Sequence, residues 1–370
     1  MRIDCISKKV EKGILFWLGV LVVIASLPAL RGIGASFGYR VYSILINLVT
    51  VAVSYYCFSG IFDRPYIGLA CSWLYTLSIY RIYKLFVVFA AWETCAMVFF
   101  PIIAYGLYKM FTDNVKEKSY KFVWVFLGIG YAGVLITDLV SFEVIAVLTL
   151  LLCIFCFRKV FVKETLWELI KGCISALVMS LAYILPFWDN FFERNLQAYY
   201  LPAGTIQDKG LYFPQLVFHW WKNGDNGLFG DAGMQSSQPV GVGLVLALSF
   251  AAFCILWYAG ELRDKEKSVL SLGKTAAVFG GLLMFMSMNI FPWDSLQHLS
   301  GLTTVVISAV QFPGRFLGWG ILWLVILAGC LLWFFKEKAA KWYYYVSVVI
   351  VMISITTSSM YLLDFISSGL

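Results

Sequence analysis

The sequence predicts an all-α polytopic bundle of transmembrane helices, and three observations lead to that prediction. Of the 370 residues, 61% are hydrophobic and 13% are charged, too few charges to cover a water-soluble surface of this size. Long apolar runs recur along the chain, most of them near the roughly 20 residues that cross a hydrocarbon core. These runs do not alternate between polar and apolar residues, so the backbone is expected to satisfy its hydrogen bonds as α-helices.

Eleven spans are predicted within one transmembrane domain that covers residues 1–370. In chain order they are Gly13–Leu30, Val41–Gly60, Tyr66–Tyr80, Phe86–Tyr108, Lys121–Thr137, Val140–Phe157, Leu166–Pro186, Val240–Ala259, Thr275–Phe291, Phe316–Phe335 and Trp342–Leu363. The first run follows basic residues, like a signal peptide, but its length and Pro28 predict an uncleaved helix. The third span is short, and the charged stretch Arg81–Lys84 after it is expected at a membrane interface. Spans three and four are therefore expected to bend or to join through an in-plane turn.

Basic residues are unevenly distributed among the predicted loops, and this distribution predicts the orientation. With the N-terminus in the cytoplasm, 20 of the 28 Lys and Arg residues lie on the cytoplasmic side, where such residues are normally enriched. The C-terminus and the long loop of residues 187–239 then lie outside the cytoplasm. The inner loops account for the net charge of +7, so no nucleic-acid partner is predicted.

The long outer loop mixes aromatic residues with Asn, Asp, Gln and Gly, a composition typical of a membrane surface. Residues 211–221 are expected to lie in the membrane plane as an amphipathic helix that covers an outward cavity. Membrane lipids are therefore expected partners of the chain.

No cofactor or metal site is predicted from the sequence. The two histidines, His219 and His298, are far apart in the chain and have no acidic triad beside them. A divalent cation would need acidic residues from separate loops to converge. The CxxC formed by Cys153 and Cys156 lies in a predicted membrane helix, where packing is its expected role.

Six stretches resemble, in chain order, landmarks of the YfhO-type multi-pass membrane proteins of Gram-positive bacteria. They are "GYRVYSILINLVTVAVSYYCF", "LYTLSIYRIYKLFVVFAAWETCAMVFFPIIAYGLYKM", "GLYFPQLVFHWW", "GMQSSQPVGVGL", "NIFPWDSLQHL" and "QFPGRFLGW". The likeness runs from about Gly38 to the C-terminus, and the last two stretches are its most specific part. It implies a GT-C-like fold in the bacterial plasma membrane. The implied activity is transfer of a sugar from a polyprenyl-phosphate donor to a cell-envelope acceptor on the outer face.

Under this resemblance, Arg315 is the expected ligand of the donor phosphate. Its planar guanidinium suits phosphate oxygens, and Pro313 and Gly314 are expected to leave it at the N-terminus of the next span, where backbone N–H groups also attract anions. Gln311 and His298 are expected to donate to the same phosphate or to the sugar. Two further residues, Asp294 and Arg81, complete the predicted substrate-binding set. The alternative role for Arg315 is an interfacial side chain that only extends its charge to the headgroups.

Sugar transfer with inversion also needs a carboxylate that takes the acceptor proton. GT-C enzymes generally carry acidic residues in the first outward loop, but residues 31–40 contain no Asp or Glu. The remaining candidate bases are Glu93, in the fourth span, and Asp138, which lies with Glu143 at the turn between spans five and six. Members of the family extend further at both ends, so the resemblance also predicts a shortened or partial chain.

Three functions therefore stay open at the level of the sequence. The first is a GT-C-like glycosyltransferase for cell-envelope glycans, and the second is a transporter or flippase of a lipid-linked substrate. The third is a non-catalytic membrane subunit descended from such an enzyme, which the missing acid in the first loop favours. A transporter needs polar residues along a path through the bilayer, whereas those of this chain concentrate near the outer face.

The predicted orientation can be tested with single cysteines and a thiol reagent that does not cross membranes. Asn223→Cys and Ser300→Cys are expected to react in intact cells, whereas Lys118→Cys is expected to react only after lysis. Labelling of Lys118→Cys in intact cells would reverse the orientation.

Overall fold

The computed structural model describes residues 37–113, 115, 118–193, 206–217, 240–262, 266–339 and 342–367. In these residues the chain is an all-α bundle. Its helices are α1 Phe37–Phe62, α2 Pro65–Thr76, α3 Ile79–Ile82, α4 Ala91–Thr112, α5 Val123–Thr137, α6 Leu139–Phe155, α7 Phe157–Val160, α8 Lys163–Glu193, α9 Phe213–Val217, α10 Leu244–Tyr258, α11 Lys267–Met286, α12 Trp293–Gln297, α13 Gly301–Val310, α14 Phe316–Lys338 and α15 Tyr343–Ser367. A π-helix, Tyr83–Val87, follows α3, and 3₁₀ turns cover Lys118–Phe122, Gln207–Lys209 and Pro313–Arg315.

Seven of the described helices are long and apolar enough to cross a membrane, and two shorter apolar helices, α6 and α10, accompany them. The chain is therefore a polytopic α-helical membrane protein, as the sequence predicts. Ten of the eleven predicted spans coincide with helices of the bundle. The remaining one, Gly13–Leu30, lies outside the described residues.

The central helix of the bundle is α14, because 89% of the residues in the most apolar window of Pro313–Lys338 are buried. It packs against α2, α10 and α11, and more lightly against α1, α4 and α15. Aromatic rings fill the contacts: Trp319 stacks on Phe100 of α4 with ring centroids 3.5 Å apart, and Trp323 stacks on Phe279 of α11 at 5.2 Å. Stacked rings of this kind contribute beyond their buried area.

The chain bends between the third and fourth predicted spans, as the sequence predicts, but the fourth span begins later than predicted. Helix α2 ends at Thr76, and the chain then turns through α3 and the π-helix before α4 begins at Ala91. The fourth span therefore starts five residues later than the predicted Phe86. The charged side chains of this stretch are enclosed by protein, since Arg81 is fully buried and Lys84 is only 8% exposed.

Charged residues define two ends of the bundle. Glu93 at the start of α4, Asp138 after α5 and Arg315 before α14 lie at one end, which we call the Arg315 end. Lys109 near the end of α4 and Lys338, which pairs with Glu261 at 2.6 Å, lie at the other end, which we call the Lys338 end. Helices α4 and α14 therefore each run from one end to the other.

The described part of the long loop, residues 206–217, docks on the Arg315 end. Leu211 forms a parallel bridge with Met288: its N–H donates to the Ser287 carbonyl at 2.9 Å, and its carbonyl accepts from Asn289 at 3.0 Å. Helix α9 covers only Phe213–Val217 of the predicted amphipathic helix. The remainder of that prediction, residues 218–221, lies outside the described part of the chain.

Close contact between α1 and α2 predicts a position that does not tolerate a larger residue. A methyl group on Gly68 would lie 2.6 Å from the backbone Cα of Ser59, so Gly68→Ala is expected to lower the free energy of unfolding by about 1–3 kcal/mol. Gly38→Ala in α1 is the control, since nothing lies within 4 Å of the added methyl group. SDS titration in mixed micelles measures both variants, and equal stability of the two would contradict the contact.

Candidate functional site

Arg315 lies where the sequence predicts, at the N-terminus of a long helix. The 3₁₀ turn Pro313–Arg315 separates α13 from α14, and Arg315 is the N-cap residue of α14. Its Nη2 donates to Gln311 Oε1 at 3.3 Å, so the structure brings two predicted site residues together. Its Nε is buried and has no hydrogen-bond partner among the described residues. A buried guanidinium N–H without an acceptor favours the arrival of a ligand oxygen.

The helix before this turn, α13, was not predicted from the sequence. Its N-terminus carries a reciprocal cap, in which the Ser300 hydroxyl accepts from Thr303 N–H and the Thr303 hydroxyl accepts from Ser300 N–H. A Ser three residues before a Thr is a weaker signal than the usual Ser or Thr before a Glu. At the other end of α13, Gln311 has a φ of 63°, which ends the helix and turns its side chain back to Arg315.

Glu93 belongs to a buried cluster with Tyr80 and Lys84. The Tyr80 hydroxyl donates to Glu93 Oε1, and Lys84 Nζ pairs with Glu93 Oε2 at 2.9 Å. The ammonium also lies 5.4 Å from the centroid of the Tyr80 ring. If the helix were continuous, Lys84 would lie two to three turns from Glu93. The bend instead brings the Lys84 side chain into direct contact with Glu93. Both carboxylate oxygens of Glu93 therefore have a partner, and all three residues are at most 8% exposed.

This cluster is next to the Arg315 turn. A methyl group on Gly318, one turn into α14 from Arg315, would lie 3.3 Å from Tyr80 Cε1. The charges of Arg315 and Asp138 both act on the Tyr80 hydroxyl. Two candidate residues that are far apart in the sequence, Glu93 and Arg315, are thus linked through Tyr80, a residue that sequence reasoning did not select.

Arg81 lies on another face of the same segment and does not join the Arg315 turn. Its guanidinium donates to Asn47 Oδ1 and to Thr50 Oγ1, the latter at 2.6 Å, and both partners belong to α1. No carboxylate pairs with Arg81 among the described residues, and its Nε is buried without a hydrogen-bond partner there. Its contacts join α3 to α1, which is a structural role, and its predicted part in substrate binding stays a prediction.

Asp138 acts as the N-cap of α6. Its Oδ2 accepts from the Ser141 hydroxyl at 2.5 Å and from Ser141 N–H at 3.3 Å. Capping satisfies a helix N–H that would otherwise lack a partner in apolar surroundings. The carboxylate that the sequence offers as a second base therefore has a structural function.

The remaining predicted residues lie around the docked loop segment. Asp294 Oδ1 accepts from Gln207 N–H at 3.4 Å, and Gln207 Oε1 accepts from Asp294 N–H at 3.3 Å. His298 is exposed at the C-terminus of α12. Lys209, which was not predicted, lies 5.3 Å from the Phe312 ring and brings a second cation to the Arg315 turn. No signal in the sequence distinguished Lys209 from other loop lysines.

Among the described residues, no group of three His, Cys, Asp or Glu side chains is arranged to hold a metal ion. No family model matches the chain, and no curated protein or solved structure matches it either. The fold and composition define the class, a polytopic α-helical membrane protein. The assignment of the site therefore depends on its geometry.

The capping role of Asp138 leads to a stability prediction. Asp138→Ala is expected to lower the free energy of unfolding by about 1 kcal/mol, because the N-terminus of α6 loses its cap. Asp138→Asn is expected to retain most of that stability, since asparagine caps nearly as well as aspartate. SDS titration in mixed micelles compares the three proteins, and equal losses from Ala and Asn would contradict a cap.

Proposed function

We propose that this chain is a GT-C-like protein of the bacterial plasma membrane that binds a polyprenyl-phosphate-linked sugar at the Arg315 end and uses it to modify cell-envelope glycans. The proposal depends on the position and the hydrogen bonding of Arg315. Its guanidinium stands at a helix N-terminus with one buried N–H that has no acceptor among the described residues. A phosphate oxygen supplies that acceptor.

Three properties of the Arg315 turn favour phosphate over a neutral ligand. Arginine presents parallel N–H groups that match two phosphate oxygens. The dipole of α14, a helix of 23 residues that begins at this turn, places partial positive charge there. Lys209 adds a second positive charge beside Phe312. At the end of a membrane helix such a site lies at headgroup depth, where the phosphate of a lipid-linked donor lies.

The proposed orientation places the Arg315 end outside the cytoplasm and the N-terminus inside. Lysines gather at the Lys338 end, and several of them lie over aromatic rings: Lys109 over Tyr105 and Lys274 over Trp257. An excess of Lys and Arg is typical of the cytoplasmic membrane surface, and aromatic residues are enriched at both membrane surfaces. The donor is then bound from the outer leaflet, and the acceptor is a cell-envelope glycan.

A second candidate function is a non-catalytic membrane subunit that binds the same lipid-linked sugar. The observation in its favour is that both predicted bases are engaged, Asp138 by Ser141 and Glu93 by Lys84 and Tyr80. Donor binding is common to the two functions. Turnover of bound donor distinguishes them.

Replacement of Arg315 tests the binding site. Arg315→Ala is expected to weaken binding of polyprenyl-phosphate-linked sugar by about tenfold to a hundredfold, because a charge-assisted contact of about 1.5–3 kcal/mol is lost. Arg315→Lys is expected to rescue only part of this loss, since lysine retains the charge but not the parallel N–H pair. Binding is measured in reconstituted membranes at equal protein abundance.

Arg40→Ala is the matched control, because it removes a basic residue near the start of α1, at the same end of the bundle. It is expected to leave the affinity unchanged. Equal affinity of Arg315→Ala and wild type would refute the site. Equal affinity of Arg315→Lys and wild type would indicate that only the charge at the membrane surface matters.

A further inference from the structure

Two helices of the bundle each have one terminus inside it. Helix α2 has 12 residues and α10 has 15, and at about 1.5 Å per residue neither crosses a hydrocarbon core of roughly 30 Å. Helix α2 begins at the Lys338 end, where Tyr66 packs on Tyr343. Helix α10 finishes at the same end, where Lys274 lies 5.4 Å from the centroid of the Trp257 ring. The C-terminus of α2 and the N-terminus of α10 therefore both lie within the bundle.

A small pocket lies beside these two helix termini and against α15. Four hydroxyl side chains line it: Ser78, which follows α2, and Ser354, Thr357 and Ser358 of α15. Ser354 lies near the middle of α15, a helix of 25 residues, so the pocket is close to the middle of the membrane. The pocket has room for about one water molecule.

The N-terminus of α10 lies at this pocket without a cap. Its N-cap residue is Gly243, which has a φ of 88° and no side chain that could accept a hydrogen bond. The next three residues, Leu244, Val245 and Leu246, line the pocket, and their N–H groups have no acceptor among the described residues. A helix terminus in apolar surroundings is costly without hydrogen-bond partners, because lipid supplies none. The first turn of α10 therefore needs an acceptor in the pocket.

The hydroxyl groups of the pocket offer both acceptors and a donor. Ser78 and Ser358 donate to backbone carbonyls at the end of α2, and Thr357 donates to a carbonyl of its own helix. Each of these oxygens still has a lone pair with which to accept a hydrogen bond. Ser354 differs from them, because it is 7% exposed and its hydroxyl makes no hydrogen bond among the described residues. Its hydroxyl is therefore left to bind an occupant of the pocket.

This combination of groups selects a neutral occupant. A cation would face the N–H groups of α10 and the positive end of its dipole. An anion would face the three hydroxyl oxygens whose protons already bind carbonyls. A water molecule accepts from the N–H groups and from Ser354, and donates to the remaining oxygens. Buried waters typically make about three hydrogen bonds to polar groups that otherwise lack partners, and this pocket supplies them.

We propose that the pocket binds one ordered water molecule, which caps α10 and joins it to the end of α2 and to α15. The water is a structural ligand at mid-depth, where the backbone of two helices ends and no aqueous surface is near. This inference is independent of the donor site at the Arg315 end. The pocket is too small to form part of a path for a polar substrate.

The first experiment looks for the water directly. Electron cryomicroscopy of the full-length wild-type protein in lipid nanodiscs is taken to a resolution at which ordered waters are visible. Compact density is expected in the pocket, within hydrogen-bond distance of Ser354 Oγ and of the first N–H groups of α10. An empty pocket in such a map would overturn the proposal. Elongated density that continues into the lipid would also overturn it, because the occupant would then be the hydroxyl of a lipid alcohol.

The second experiment uses a matched pair of neighbouring variants. Thr357→Val and Thr356→Val make the same change of shape, and each removes a hydroxyl that donates at 2.9 Å to the carbonyl four residues earlier in α15. Only Thr357 lines the pocket. Isotope-labelled leucine and deuterated lipid allow nuclear magnetic resonance to detect the contact between water and the Leu246 N–H. This contact is expected in wild type and Thr356→Val, and is expected to be largely lost in Thr357→Val.

Ser354→Ala is a second test, in case Thr357→Val does not fold. It enlarges the pocket slightly and removes the hydroxyl that has no other partner, so it is also expected to weaken the water contact of Leu246. A water contact of equal strength in Thr357→Val, Ser354→Ala and wild type would refute the role of these hydroxyls. Absence of the contact from wild type itself would refute the bound water.

Discussion

The contact between α1 and the bent segment from α3 to the start of α4 determines the positions of the residues at the Arg315 end. A bend in apolar surroundings exposes backbone carbonyls that need donors, because water cannot supply them there. Two tyrosines of α1 provide these donors: Tyr39 donates to the Leu85 carbonyl at 2.7 Å, and Tyr42 donates to the Ala91 carbonyl at 2.6 Å. Arg81 ties the segment back to α1 through Thr50. The π-helix is thus held at both ends, which fixes the direction in which Lys84 points.

Ordinary sequence reasoning explains most of the fold. Apolar run length predicts where helices such as α4 and α14 lie, since lipid imposes a minimum length and internal hydrogen bonds. The Arg315 turn was also predictable, because Pro313 and Gly314 interrupt a helix in a recognisable way. The π-helix was not predictable in detail, because it depends on donors from α1 that are more than forty residues away. The pairing of Lys84 with Glu93 depends on the detailed geometry of that bend, whereas the sequence predicts only that spans three and four bend or join through an in-plane turn.

The distribution of polar groups also bears on the alternative of a transporter. Several ionisable residues of the described bundle lie at its two ends, whereas Arg81 binds Asn47 and Thr50 midway along α1, and the middle of α14 is packed with aromatic and aliphatic side chains. A path for a polar substrate through the bilayer would be lined by polar groups at mid-depth. The predicted site residues Arg315, Gln311 and Asp294 instead lie at one end, where the proposed function requires the headgroup of a lipid-linked sugar to bind.

The burial of α14 has a consequence for the biosynthesis of the protein. This helix is nearly enclosed by α2, α10 and α11, yet the ribosome makes it after all three of them. The earlier helices can enter the membrane one by one. The space between them stays unfilled until α14, the second-to-last described helix, is inserted. Assembly of the described bundle is therefore completed only after α14 has been inserted. Until then, the interior faces of the earlier helices are exposed to lipid, insertion factors and membrane proteases.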